Sequence, residues 1–398
     1  MVRVSLQSTE KSPGQAATRQ TARLFLFDHL RAALVILVVL HHVALVYGGI
    51  PPFYYMEPPT NDPLAGLVLL VFVLFNQAWF MGAFFFLAGY FTPGSFEQKG
   101  PGAFLKDRLL RLGIPLIIWI FILNPISAIG FFLMPASLTG ITAPLTWQAY
   151  PHLLGLGPLW FVAMLLIFSF GYVAWRMLTR NRKSSSMSET PALSYPGIGI
   201  FILALALGSY LIRIIIPIGK SVLDFPTLAY LPQYLSFFVL GVIASRHHWL
   251  RALSSSMGIV GFVAALLATV FLFSIGFLSF LKAIENASPQ IPPFGYGTWQ
   301  SAVYALWDSI FAAGMILAVI VLFRRFFNGQ GRLGRFLSQH SYTVYIIHIP
   351  IIVYLAFALR GIELWPLLKF GMMAVMVVPT CFVVAYIVRQ IPGASRIL

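Results

Sequence analysis

The sequence predicts an all-α, polytopic integral membrane protein of about ten transmembrane helices. Three observations predict it. Hydrophobic residues make up 59% of the 398 positions and charged residues only 9%, with a mean hydropathy of +0.86, whereas roughly a quarter of a soluble domain is charged. Apolar runs of spanning length recur almost from end to end. The Lys and Arg residues between those runs are concentrated in alternate connections, the pattern that membrane insertion imposes.

A spanning helix needs about 20 predominantly apolar residues. Runs that meet this lie at approximately 24–47, 64–91, 113–134, 158–178, 197–217, 228–245, 257–281, 300–323, 338–359 and 364–388. The second is long enough to tilt, or to break near Asn76 and Gln77. The first is too long for a signal-peptide core and lacks a small-residue cleavage site, so it is read as a retained span. No hydrophilic block exceeds roughly 25 residues, which leaves one membrane domain, 24–389, between tails 1–23 and 390–398.

Orientation follows from the cations. Arg3, Lys11, Arg19 and Arg23 precede the first span; Lys99, Lys106, Arg108 and Arg111 follow the second; Arg176, Arg180, Arg182 and Lys183 follow the fourth. Arg246 and Arg251, then Arg324, Arg325, Arg332 and Arg335, then Arg389 and Arg396 continue the alternation. The positive-inside rule makes this side cytoplasmic, with both termini there. The net charge of +15 is thereby read as topology, with no nucleic-acid partner. Segment 181–197 reads as a polar cytoplasmic linker. On the opposite side, connections 48–62 and 135–157 contain no Lys or Arg and are rich in Pro, Gly and aromatic residues. They are either plain connectors or the mouth of an outward-facing sugar site, where rings offer stacking faces.

Ionisable residues at membrane depth are costly and are functional candidates by default. Asp28, Arg31, His41, His42, Arg213, Asp308 and His348 qualify. At about 100° per residue, Arg31 and His42 share a helix face to within about 20°, whereas His41 lies about 80° from Arg31 and is expected to meet another neighbour or lipid headgroups. The rise per residue separates Arg31 from His42 by about 16 Å along the axis. Asp28 stands three residues before Arg31, close enough to pair with it. The alternative is that His42 bonds a neighbouring carbonyl and Arg31 snorkels to the headgroups.

The single cysteine, Cys381, excludes an intramolecular disulfide framework and a Cys-based metal site. No metal site is expected, because the pairs His41–His42 and His247–His248 are adjacent in sequence and neighbours on a helix point about 100° apart. No nucleotide-binding glycine motif is present. The sequence carries no signal of oligomeric state.

Several stretches resemble one family. FDHLRAALVILVVLHH (27–42), FFFLAGYF (84–91), the Arg-x-x-Arg of FLKDRLLRLGIP (104–115), GPLWFVAMLL (157–166) and HSYTVYIIHIPI (340–351) occur in the order and spacing seen in membrane-bound acyltransferase family 3. The family acylates sugars of envelope polysaccharides and glucans, and the resemblance covers about residues 24–388. Ala88 replaces the Ser that often precedes the signature glycine, which removes a hydroxyl role there. The chain ends about nine residues after the last span, so the periplasmic hydrolase-like domain of some members is expected to be lacking. QAWFMGAFFFLAGYF and LPQYLSFFVLGVIASRHHWL look most like the glucan-modifying branch, associated with succinylating periplasmic glucans.

The resemblance implies an O-acyltransferase of the bacterial inner membrane. It would move an acetyl or succinyl group from acyl-coenzyme A, as co-substrate with no permanently bound cofactor, to a carbohydrate hydroxyl. In that reading His42 is the general base, histidine having an unperturbed pKa near 6.5. Arg31, paired with Asp28, orients the donor or stabilises developing negative charge. Arg108 and Arg111 hold the coenzyme phosphates, unless they only mark topology. Trp160 is an interfacial anchor or a sugar platform, His348 a core histidine or a substrate contact, and Phe84, Phe85 and Gly89 pack helices. Asp308 has Arg213 as a candidate partner. The competing class is a proton-coupled carrier of a saccharide or small organic acid, since a stripe of ionisable residues also suits one, although no inverted repeat is visible.

Overall fold

The computed structural model describes residues 14–51, 53–57, 62–179, 193–247, 249–327, 329 and 331–398, with side chains from residue 25 and not at 251. The first part of the predicted tail, most of the predicted linker 181–197, and the cations Arg3, Lys11, Arg180, Arg182 and Lys183 lie outside the described residues. Among the described residues there are helices and no strands, and ten helices are long and apolar enough to cross a membrane. They are α1 (Gly14–Tyr47), α2 (Pro63–Lys99), α3 (Pro101–Leu133), α4 (Trp147–Leu178), α5 (Tyr195–Ile215), α6 (Leu228–Arg246), α7 (Ser255–Glu285), α8 (Trp299–Phe326), α9 (Arg332–Ala358) and α10 (Pro366–Gln390).

Every predicted span corresponds to one of these helices, and three of them depart from the expectation for identifiable local reasons. Helix α2 runs unbroken through Asn76 and Gln77, because Gln77 donates from Nε2 to the Tyr234 hydroxyl at 3.0 Å and so has a partner inside the bundle. Helix α3 starts at Pro101, twelve residues before the expected 113, and carries two π-helical turns, Leu109–Gly113 and Trp119–Leu123. Proline at the first helical position lacks the N–H that a helix start leaves unpaired, so Pro101 begins the helix ahead of the apolar run. Helix α4 opens with two 3-10 turns, Trp147–Leu153 and Gly157–Leu159, before its α-helical part from Trp160.

The connections 48–62, 134–159, 216–227 and 286–298 meet at one end of the bundle. Met56 N–H donates to Met134 Sδ, Asn124 Nδ2 to the Leu153 carbonyl, Leu156 N–H to Asp224, and Ile218 N–H to the Phe294 carbonyl. The opposite end is tied by Arg324 to the Leu250 carbonyl and by the Tyr342 hydroxyl to the Arg111 carbonyl. At the first end Lys369 Nζ bridges both Glu57 oxygens, at 2.7 and 2.8 Å. Burial pushes the Glu57 carboxyl above its usual range, against the pull of Lys369.

Helix α2 makes its most extensive contact with α6, and two glycines explain the closeness. A Cβ at Gly89 would overlap the Phe238 carbonyl, and one at Gly241 would overlap the Phe86 carbonyl. The glycine of FFFLAGYF is therefore a packing residue, of the kind that lets membrane helices approach. Gly89→Val is expected to destabilise the bundle by about 1–3 kcal/mol, the usual range for overpacking. A thermal unfolding midpoint in detergent that is unchanged from the parent would contradict this.

Candidate active site

At the loop-rich end a cavity of about 430 Å³ opens between α1, α2, α3, α4, α9 and the connection 216–227. Its walls include His41, His42, Tyr54, Gln77, Asn124, His152, Trp160, Asp224, Thr227 and Tyr345. Apolar walls with a few convergent polar groups are the usual make-up of a small-molecule site.

His42 stands near the end of α1 between two rings, stacked on Phe53 with centroids 5.6 Å apart and set against His348 at 4.9 Å. The hydrogen bonds determine both tautomers. His348 Nδ1 lies 2.8 Å from the Tyr345 carbonyl, which only accepts, so Nδ1 carries the proton and Nε2 keeps a lone pair. His42 Nδ1 lies 2.8 Å from the Val38 carbonyl and 3.2 Å from His348 Nε2. Both are acceptors, so His42 Nδ1 carries a shared proton and its Nε2 is the unprotonated nitrogen. Among the described residues no hydrogen-bond partner occupies that Nε2.

The rest of the wall is held by the connections. The Tyr54 hydroxyl donates to Asn124 Oδ1; burial and the nearby Asp224 raise its phenol above the ordinary range, so it stays a donor. Asn124 in turn donates to Leu153 at 2.7 Å. Asp224, with φ +64, sits in the left-handed region, where a non-glycine residue is strained, and accepts from Leu156 N–H. Gly157 has φ +43, and a Cβ there would overlap the Tyr54 hydroxyl. Only glycine serves both demands.

Trp160 is 7% exposed, lines the cavity and stacks on Tyr234 at 5.2 Å, which stacks on Tyr230 at 6.2 Å. Tyr230 lies under the Arg213 guanidinium at 4.7 Å, and Arg213 pairs with Asp308 at 2.5 Å, both side chains almost wholly buried. The candidate partners of the sequence thus meet, at the back of the aromatic stack. Breaking a buried pair leaves an uncompensated charge, so Asp308→Asn is expected to cost about 3–5 kcal/mol, and replacing both (Arg213→Met with Asp308→Leu) to recover most of it. A double variant less stable than the single one, by thermal unfolding in detergent, would contradict the assignment.

The other candidates lie at the opposite end. Arg31 pairs with Asp28 at 3.5 Å and packs 5.7 Å from the Phe91 ring, the last residue of FFFLAGYF. Arg108 turns inward over the buried Phe104 at 5.0 Å, with Nε buried and unpartnered. Arg111 is exposed and bonds Asp107 at 3.2 Å, and Asp107 also holds Lys99 at 2.8 Å. The π turn starting at Leu109 sets the two guanidiniums in different surroundings. Of the predicted residues, His42 and Trp160 line the cavity and His348 stands buried behind His42, while Asp28, Arg31, Arg108 and Arg111 do not line it.

A family model described as an acyltransferase domain matches residues 26–386. The chain belongs to the acyltransferase 3 family. It is similar to glucans biosynthesis protein C of Shigella dysenteriae serotype 1 (strain Sd197) and of Escherichia coli (strain K12), in each case 24% identical over 353 residues covering 83% of both chains. No solved structure matches it. This acyltransferase therefore carries a free imidazole nitrogen in a walled cavity, an arrangement fit for taking a proton from an attacking hydroxyl.

Several wall residues of the acyltransferase escaped the sequence reading, among them Tyr54, Asn124, His152, Asp224 and Thr227. Tyr54, Asn124 and Asp224 lie far apart in the chain and carried no motif. His41, expected at another neighbour or at headgroups, is 7% exposed, packs on Phe80 at 5.1 Å and lines the cavity beside His42. The signal that could have found Tyr54 and Asp224 was a polar residue within a connection on the side opposite most of the cations, whereas Asn124, inside α3, offered only a polar side chain within an apolar span.

Proposed function

We propose that this acyltransferase moves an acyl group from acyl-coenzyme A to a hydroxyl of a carbohydrate such as a glucan, in the bacterial inner membrane with both termini cytoplasmic. The observation that carries the reading is His42 in the cavity wall with its Nδ1 engaged by the Val38 carbonyl and His348 Nε2, which leaves its Nε2 as the nitrogen to take a proton. The sugar hydroxyl attacks the thioester carbonyl and gives its proton to His42 Nε2. Collapse of the tetrahedral intermediate forms the ester and breaks the C–S bond, and the proton passes from His42 to the departing thiolate. The charge on imidazolium is shared through Nδ1–H with His348 Nε2 and the Val38 carbonyl.

Trp160 offers a ring face to the sugar, and Asp224, His152 and Thr227 offer hydrogen-bonding groups to its hydroxyls. Arg108 and Arg111 are proposed to hold the coenzyme phosphates at the opposite end, with Arg31, fixed by Asp28, steering the pantetheine arm. The printed names of the relatives support a glucan acceptor.

Purified protein in liposomes, given labelled acyl-coenzyme A on one side and a glucan on the other, should yield acylated glucan. Arg108→Ala with Arg111→Ala should raise the donor KM. No product from correctly inserted protein would overturn the reading, as would accumulation of unmodified solute inside the vesicles.

A further inference from the structure

We infer that the acyl group transferred in this cavity is uncharged, and that an acyl group ending in a free carboxylate, such as succinyl, is discriminated against. The inference rests on the reading of the cavity as the acyl-transfer site. Its first support is the charge of the walls. Among the described residues that line the cavity none is Lys or Arg, and one, Asp224, is a carboxylate. The neighbouring positions left undescribed, Pro52, Pro58, Pro59, Thr60 and Asn61, carry no cation either.

Cations close to this end are committed or turned away. Lys369 is held by Glu57 and Arg213 by Asp308. Lys220 adjoins the wall residue Ser221 but is itself exposed and is not part of the lining, and Lys282 and Arg360, the latter packed on the Phe357 ring, are likewise exposed and outside it. Nor does His42 serve as counter-ion, because it must start with Nε2 unprotonated to accept the hydroxyl proton.

A second support is the route, on the donor site proposed above at Arg108 and Arg111. The donor arginines and the cavity lie at opposite ends, and along α1 the residues between Arg31 and His42 include Leu34, Val35, Val38 and Val39, each at most 2% exposed. A carboxylate drawn through that stretch loses its hydration and meets no partner, which is costly, whereas a methyl-terminated acyl group crosses as part of the apolar core. Within the cavity, a like charge roughly 10 Å away at an effective dielectric near 20 is worth about a factor of ten in affinity.

Butyryl and succinyl have the same four-carbon chain and differ in the terminal carboxylate, so they isolate the charge. The reconstituted protein is given acetyl-, butyryl- and succinyl-coenzyme A with a glucan acceptor. The expected result is transfer of acetyl and butyryl, with kcat/KM for succinyl at least about tenfold below butyryl. Asp224→Asn is expected to narrow that ratio by raising the succinyl value relative to the butyryl one. Succinyl transferred as well as butyryl overturns the inference and leaves the acyltransferase reading standing. No transfer from any of the three donors overturns both.

Discussion

His42→Gln is expected to lower kcat/KM for acyl transfer by about 100- to 10,000-fold, the range that a positioned general base contributes. Glutamine keeps the length and polarity of the side chain, with its amide near the position of Nε2, and gives up only the bond from Nδ1 to the Val38 carbonyl at 2.8 Å, so folding should survive. What it lacks is a nitrogen able to take and return a proton near neutral pH. His41→Gln is expected to cost much less. Its ring packs on Phe80, and its Nδ1 is buried without a partner, so no hydrogen bond orients it as a base. Initial rates in liposomes, normalised to correctly inserted protein, decide this. A His42→Gln enzyme that turns over at the parent rate would remove His42 from the chemistry, and His41 variants that fall as far as His42 variants would remove the assignment of one base.

The second large effect is expected at His348. It is 0% exposed and acts only through the 3.2 Å contact of its Nε2 with His42 Nδ1, so it is a positioning residue. His348→Leu should lower kcat by roughly 10- to 1,000-fold, less than the about 10,000-fold penalty of a wrong tautomer in the serine-protease triad, because the Val38 carbonyl still holds the Nδ1 proton. The acceptor KM should change little. His348→Gln places an acceptor oxygen where Nε2 was and should recover part of the loss, an outcome that a purely space-filling role would not produce. Equal rates for the Leu and Gln variants, or a loss confined to KM, would show that His348 only packs. Nitrogen NMR of histidine-labelled protein adds a readout independent of rate: in the parent, His42 should show a protonated Nδ1 and an unprotonated Nε2.

Much of this was visible in the sequence because it is local. Hydrophobic runs report spans directly, since hydrocarbon leaves the backbone no alternative to internal hydrogen bonding. The Asp28–Arg31 pair follows from the spacing of three residues on a helix and is found at 3.5 Å. The eleven-residue interval that set His42 apart from His41 is also a property of one helix. Family resemblance supplied what spacing could not, namely that an arginine, a histidine, FFFLAGYF and an Arg-x-x-Arg belong to one acyltransferase pattern.

The sequence by itself determined the number of spans, the two ends of the bundle, the charges at membrane depth and the histidine to suspect. Only the tertiary structure decided what those residues meet. The partner of His42 lies 306 positions away on α9, Asp308 finds Arg213 across 95, and the cavity wall combines α1, α2, α3, α4 and α9 with connections far apart in the chain. It also put Arg111 inside a π turn that begins just after Arg108 and drew His41 into the wall that helical periodicity had turned it from. The physical reason is that periodicity specifies the face of a single helix, whereas tautomer, burial and cavity charge depend on which faces pack together, and in a membrane that is set by close steric fit such as Gly89 against Phe238.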